Sequence, residues 1–213
     1  MKFQFDKIAK YYNLLEILAF GKILYGTRLY LLIRNSNPNN ILLVGEGTGR
    51  FLKYLVNCYP KSSITIVDSS NRMIKKMREY NQISKVQNIT ILQQDYFKHI
   101  PAAKYDLIYT NFFLDCFKST DVLKIIAKIK VILNETGEWN DVDFTVPHKG
   151  NLLNYYYNKL IIKVLYKSFR LICKIESASI KDVDFDYQKL GFILDREMAY
   201  QFPSVRVRKY KLV

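Results

Sequence analysis

One stretch constrains the fold of this chain more than any other: Ile41-Leu42-Leu43-Val44-Gly45-Glu46-Gly47-Thr48-Gly49-Arg50-Phe51. Four aliphatic residues run into three alternate glycines, and Arg50 to Tyr59 then reads as a helix. This is a strand, a tight turn and a helix start. Nucleotide-like ligands bind at such turns, because glycines let the backbone approach and the helix N-terminus offers free N–H groups. A dinucleotide fingerprint needs a third glycine where Arg50 stands, so the G-x-G-x-G spacing weighs against a nicotinamide cofactor.

Strands and helices alternate after the turn-forming linker Asn35–Asn40. Strands are expected at Ile41–Val44, Ser63–Val67, Ile89–Leu92, Tyr105–Thr110 and Gly137–Val146. Gly191–Tyr200 and Val205–Val213 read as a closing pair. Helices are expected at Arg72–Tyr80, Val122–Leu133 and Asn151–Lys174, the second with an apolar face of Leu123, Ile126, Ile129 and Leu133. This order implies a doubly wound, mostly parallel α/β sheet of seven strands with helices on both faces. Residues 5–34 are aromatic and helical in pattern, broken near Gly21 and Gly26, and read as an N-terminal helical cap. The 213 residues then form a single domain: cap 1–37, ligand-binding core 38–146, and a substrate-side helix with closing strands at 147–213.

Hydrophobic content of 49% is enough to fill a core. No apolar leader and no uninterrupted apolar run of about 18 residues is present, so a cytoplasmic protein is expected. Cys58, Cys116 and Cys173 are odd in number and set among apolar residues, as buried thiols in a reducing compartment are. Neither they nor the alternating acids Asp182, Asp184 and Asp186 suggest a metal site; the calcium-loop glycine and terminal Glu are missing. The net charge of +14 admits a polyanionic partner. Lysines outnumber arginines 24 to 9 and are spread along the chain, which leaves a solvated basic surface equally open.

Asp68 ends the second strand, 19 residues after Gly49. Alone it is a strand-ending polar residue; after a glycine turn it is placed to accept ribose hydroxyls. Ser69-Ser70 then cap the next helix.

The motifs at 41–51, 64–70, 91–96 and 105–117 together resemble, in order and spacing, the class I S-adenosylmethionine-dependent methyltransferases. Phe5-Asp6-Lys7-Ile8-Ala9-Lys10-Tyr11-Tyr12 is similar to the F-D-x-I-A-x-x-Y entry of the ubiquinone/menaquinone-biosynthesis type. The resemblance implies a Rossmann-like methyltransferase fold, S-adenosylmethionine as cofactor and S-adenosylhomocysteine as product. It assigns Gly45, Gly47, Gly49, Asp68 and Ser69 to the cofactor, and Met73 to the neighbourhood of the adenine. Asp95 would take the adenine amino group and the Tyr96 backbone N–H a ring nitrogen. Asn111 would sit beside the methionine moiety, and the segment ending at Tyr12 would help close over the cofactor. In one respect the chain departs from the family. The acid two places before the first glycine, oriented toward the methionine amino group, is Leu43 here. Glu46 then either takes over the ammonium group or is an exposed turn residue.

Methyl transfer is an in-line displacement in which the protein mainly aligns the nucleophile and excludes water, so an acid/base group is optional. Candidate catalytic residues are Asp115, among apolar residues past the fourth strand, His148 after the fifth, and Tyr12. Asp143 is a further acid that points to the crevice if its strand runs as expected. The D/N/S-P-P-Y/F signature that grips a flipped base is replaced by Thr110-Asn111-Phe112-Phe113. In the helix at 151–174, Lys159, Lys163, Lys167, Arg170 and Lys174 fall on one stripe about 80° wide at about 100° per residue. Such a basic amphipathic helix either lies on an anionic membrane, here the inner face, or is an ordinary solvated helix. The leading reading is methyl transfer to a small aromatic or lipophilic acceptor. An RNA methyltransferase and an inactive binding or scaffold protein with the same fold stand beside it.

Overall fold

The structure, a computed structural model, describes residues 4–32, 37–81, 88–146, 152–177, 187–201 and 204–213. Two short helices come first, α1 (Tyr12–Phe20) and α2 (Ile23–Leu29). Then follow β1 (Asn40–Val44), α3 (Leu52–Cys58), β2 (Ser63–Asp68), α4 (Asn71–Asn81), β3 (Ile89–Gln93), β4 (Tyr105–Asn111), α5 (Ser119–Ile132) and β5 (Leu133–Phe144). The long α6 (Leu152–Cys173) precedes β6 (Phe192–Gln201) and β7 (Ser204–Leu212). The strands lie in the order β3-β2-β1-β4-β5-β7-β6. β1 to β5 are parallel and β7 runs antiparallel to both neighbours. The expected seven-stranded, doubly wound sheet is therefore present. Strand order reverses between β1 and β4, and the carboxyl ends of those strands open a crevice there.

Alternation along β1 divides the core. Ile41 and Leu43 face α3 and α4, packing with Phe51, Leu52, Leu55 and Met77. Leu42 and Val44 face α5, packing with Ile125, Ile126, Ile129 and Trp139. Strand side chains alternate between faces, and a parallel sheet covered on both sides must be apolar on both. Across the sheet from Trp139, Val142 and the β7 residues Val205 and Val207 receive Phe20 and Leu24 from the first two helices and Leu31 from the turn after them. Ile162, Tyr166 and Cys173 of α6 pack against Ile8, Ala9 and Met73.

Several expectations are corrected. β5 begins at Leu133, directly from α5, not at Gly137, and ends at Phe144, not Val146. Leu133 pairs with Tyr105, and a register shift before Leu107 absorbs the residues up to Glu138. The buried face of α5 is Val122, Ile125, Ile126, Ile129 and Ile132; Leu123 is exposed. Ile126 and Ile129 belong to the expected face, and Leu133 is buried as well but opens β5 instead of closing the helix. Gly21 ends α1 with φ of +61°, whereas Gly26 lies inside α2 and breaks nothing. All three cysteines are free, but Cys58 is only half-buried. His148 and Asp182, Asp184 and Asp186 lie outside the described residues. Among the described residues no helix is long and apolar enough to cross a membrane, and no cluster of His, Cys, Asp or Glu could hold a metal ion.

Candidate active site

The glycine turn lies at the crevice because β1 delivers it there. Gly45 and Gly47 have φ of +67° and +68°, a region that side-chain-bearing residues rarely adopt. A Cβ on Gly45 would also approach Phe113 Cδ2 to 2.6 Å. Gly49 has a different task. Its φ is +78°, its carbonyl accepts from Asn81 Nδ2 at 2.9 Å, and a Cβ there would meet Asn81 and Met77. It does not line the crevice; it seats α4 against the turn. The other residues expected at the cofactor, Gly45, Glu46, Gly47, Asp68, Ser69, Met73, Asp95, Tyr96 and Asn111, all line one continuous cleft.

Asp68 is buried at the end of β2. Its Oδ2 accepts from Gly47 N–H at 3.0 Å and its Oδ1 from Ser70 N–H at 2.8 Å. Burial outweighs these bonds and lifts its carboxyl to about 6. With the Ser69 N–H also bonded to it, the carboxylate still keeps acceptor capacity for a hydroxyl donor. Ser70 caps α4 by accepting from Met73 N–H at 3.1 Å.

Glu46 is no exposed turn residue. Its Oε1 accepts from the Phe51 and Leu52 N–H groups at 3.0 and 3.1 Å, capping α3 across the turn. Burial pushes the carboxyl to about 7, with Arg28 pulling the other way. Leu43, where the family carries its acid, is buried among Phe51, Leu52 and Leu55, so a carboxylate there would be desolvated.

On the opposite wall, β4 ends in Asn111, whose buried Oδ1 has no hydrogen-bond partner among the described residues. Phe112 follows with φ of +53°, a left-handed conformation that costs a non-glycine residue about 1–3 kcal/mol and concentrates at functional sites. Phe113, Phe117 and Tyr96 form an aromatic group with Met73 on the same cleft. Asp95 lines it too, and spends Oδ1 on the Phe97 N–H at 2.9 Å as a turn cap.

The N-terminal segment is fastened over this cleft. Asp6 accepts from the Ser70 hydroxyl and, at 3.0 Å, from Arg72 N–H. Thr48 donates to Asn13 at 2.8 Å. Glu16 on α1 binds Arg28 on α2 through two bonds of 3.0 Å, and Arg50 of the turn at 3.3 Å. The Arg28 guanidinium stacks 4.8 Å over the Phe112 ring. Glu16, Arg28 and Arg50 line the cleft and were not legible as site residues. The one signal was charge: Glu16 is the sole acid of α1, and Arg28 is the sole charged residue of α2.

A second cavity, of about 550 Å³, lies between α1, α2 and α6. It shares Phe5, Tyr12, Glu16, Arg28, Phe112 and Cys116 with the cleft, so the two meet there. Its remaining walls are mostly apolar, including Leu24, Phe144, Ile161, Val164 and Leu165. Two catalytic candidates line it. Burial raises the Tyr12 hydroxyl, which stays protonated as a donor. Asp115 accepts from Tyr166 Oη at 2.8 Å, and its N–H donates to Asp143 Oδ2 at 3.0 Å. Burial raises both carboxyls, with Asp141 adding repulsion at Asp115 and Asp115 and Asp141 adding it at Asp143, and Asp143 Oδ1 has no hydrogen-bond partner among the described residues. Asp143 itself lines neither the cleft nor this cavity; its side chain is turned to the backbone of Asp115 instead of the expected crevice.

Residues 41–137 match the family described as a methyltransferase domain. The malonyl-[acyl-carrier protein] O-methyltransferase 2 of Ilyobacter polytropus is 39% identical over 72 residues, 34% of this chain and 27% of that protein. The malonyl-[acyl-carrier protein] O-methyltransferase of a Paenibacillus species is 33% identical over 101 residues, 46% of this chain and 36% of that protein. The chain thus matches only about a quarter to a third of the length of these curated relatives. The solved structure of the N-methyltransferase NodS from Bradyrhizobium japonicum with S-adenosyl-L-homocysteine superposes with a TM-score of 0.64 and 12% identity. That match covers 91% of this chain and 87% of NodS, a likeness of fold.

Proposed function

We propose that this chain, which carries a class I S-adenosylmethionine-dependent methyltransferase domain, transfers the methyl group to a small lipophilic acceptor, aromatic or aliphatic. It works as one domain, in which residues 38–146 hold the cofactor and the helices of 1–37 and 147–213 enclose the acceptor. The observation that carries this reading is the junction of a polar, glycine-floored cleft with an apolar cavity at Tyr12, Glu16, Arg28 and Phe112.

The cleft residues fit S-adenosylmethionine. The bare backbone of Gly45 and Gly47 leaves room for a ligand, and the orphaned Asn111 Oδ1 is a buried acceptor in need of a donor. Asp68 accepts the ribose hydroxyls. Met73, Tyr96, Phe113 and Phe117 flank the adenine, with Asp95 and the Tyr96 N–H at its edge. Glu46 with Glu16, and Arg28 with Arg50, offer both charge signs to the zwitterionic amino-acid end. When bound, the cofactor supplies an electrophilic methyl on a sulfonium. The protein holds the acceptor in line from the apolar side and keeps water out. Asp115, fixed by Tyr166 and by its own N–H on Asp143, is placed to take a proton from an acceptor hydroxyl. Its raised value makes its ionised form the stronger base.

Titration of S-adenosylmethionine and S-adenosylhomocysteine by calorimetry, followed by incubation of labelled cofactor with phenols, quinols and long-chain hydroxyl compounds, tests this. Label extracted into organic solvent, and lost with Asp115→Asn, supports it; cofactor binding with no transfer to any such acceptor contradicts it. The Arg28 guanidinium beside apolar walls favours a second reading, in which the acceptor group is the carboxylate of an acyl chain. The curated relatives named above act on a malonyl group held by an acyl carrier protein. A product cleaved by mild alkali would be an ester and select this second reading.

A further inference from the structure

Viewed down its axis at about 100° per residue, α6 carries three stripes instead of two. Asn158, Ile162, Tyr166 and Cys173 are buried. Lys159, Lys163, Lys167 and Arg170 form an exposed basic stripe beside them. Next to that lies an exposed apolar stripe of Leu153, Leu160, Val164 and Leu171, with Leu153 83% and Leu171 73% exposed. A solvated surface helix turns polar residues outward; here half of the outer face is aliphatic. α6 contains no Asp or Glu.

The mouth of the 550 Å³ cavity opens along this apolar stripe. Leu18 of α1, 74% exposed, and Tyr157, Leu160, Val164 and Ile172 of α6 are both exposed and part of the cavity lining. An exposed apolar rim thus surrounds an apolar chamber, with cations on the neighbouring stripe.

We propose that α6 and the chamber mouth dock on an anionic lipid bilayer, from which the lipophilic acceptor enters the chamber. The proposal rests on the chamber being the acceptor site. Helices that lie in a bilayer surface bury a Leu-rich face and keep Lys and Arg at the headgroups, as these two stripes would. The cations also choose between occupants. Lysine is depleted in protein–protein interfaces, whereas lysine and arginine are drawn alike to an anionic leaflet; three of the four here are lysines. A bilayer is also where an acceptor matched to this chamber would accumulate.

Co-sedimentation with vesicles of phosphatidylcholine alone, and of phosphatidylcholine mixed with phosphatidylglycerol, tests the docking. The protein should pellet with the mixed vesicles alone and be released by high salt. The triple variant Lys159→Gln/Lys163→Gln/Lys167→Gln should bind them about a hundredfold more weakly, from roughly fivefold for each lysine removed beside an anionic surface. Leu153→Ser/Leu171→Ser should also release the protein. Both variants should titrate S-adenosylmethionine as the parent does, which separates lost docking from lost folding. Equal binding to neutral vesicles overturns the proposal, as does binding to an acidic acyl carrier protein with no vesicle binding. Neutral N-phenyl-naphthylamine, titrated without vesicles, reports on the chamber separately. Probe binding without vesicle binding overturns the docking alone; vesicle binding without probe binding overturns the chamber reading and the entry route with it.

Discussion

Glu46 lies within the glycine turn and Asp68 beside it at the end of β2, and burial displaces both carboxyls upward, to about 7 and about 6. Their ionised forms are the ones a cofactor ammonium group and ribose hydroxyls would stabilise. Cofactor affinity should therefore be full above pH 7 and fall as pH drops through 7 and then 6. The ligand-free fold should show the opposite slope. A carboxyl whose value is higher in the folded state than in the unfolded chain, where it is about 4, loses stability as pH rises from that ordinary value to the folded one. Calorimetric affinity and thermal midpoint, measured from pH 5 to pH 8, should thus move in opposite directions. Glu46→Gln should abolish the affinity step near 7 and leave the one near 6. A step near 7 that persists in this variant would move the ammonium contact to Glu16. Asp68→Ala removes both proposed ribose acceptors and should weaken cofactor binding by at least about a hundredfold, since hydrogen bonds to a charged group contribute about 1.5–3 kcal/mol each. Retained affinity would contradict the ribose role.

The three glycines of the turn divide at the scale of elements. Gly45 and Gly47 leave backbone open to a ligand, whereas Gly49 lets α4 approach the turn. Gly49→Ala should lower stability by about 1–3 kcal/mol, as overpacking and a left-handed alanine do, while the folded fraction binds cofactor normally; thermal melts with and without S-adenosylhomocysteine separate these effects. The strand order and the crevice were legible because hydrophobic runs, glycines and strand-ending acids are local signals. Element ends were less so. Gly137 reads as a strand boundary, but Leu133 enters the core and pairs with Tyr105, drawing the strand back to the end of α5. Glu46 was legible as an acid near the cofactor, but not as the cap of α3, because its partners at Phe51 and Leu52 become neighbours only once the turn closes. Asp6 shows how an N-terminal segment is fastened. It accepts from Ser70 and Arg72 at the start of α4. Asp6→Ala should remove about 1 kcal/mol of capping and speed cofactor release in stopped-flow displacement.

On the scale of the whole molecule, the apolar chamber was the least legible feature, because it belongs to no motif. Its walls come from the N-terminal helices, from α6, from the Phe112–Cys116 segment after β4 and from Phe144 at the end of β5, and the residues that join it to the cleft, Glu16 and Arg28, are isolated charges in the sequence. Their buried pair also binds the first two helices to the glycine turn through Arg50. Removing one partner of such a pair costs about 3–5 kcal/mol, so Arg28→Met should lower the melting temperature markedly and would not isolate a binding role. Filling the chamber does. Ile161 is half-buried on the chamber wall and does not line the cleft that contains Asp68, Glu46 and the turn. Ile161 packs on one side against the Phe20 and Leu24 cluster and on the other lines the cavity, which gives a Trp there volume to occupy, so in Ile161→Trp the fold should persist and the affinity for S-adenosylhomocysteine should match the parent. Methyl transfer to a bulky lipophilic acceptor should fall at least about tenfold in kcat/KM, equivalent to about 1.4 kcal/mol. A short acceptor that leaves the far end of the chamber empty should be spared. If both acceptors are used as before, the chamber is not where the acceptor binds; if both are lost with cofactor affinity intact, the added ring reaches the junction itself. The ratio of the two acceptors in one variant therefore locates the acceptor along an axis that runs from α6 to the glycine turn.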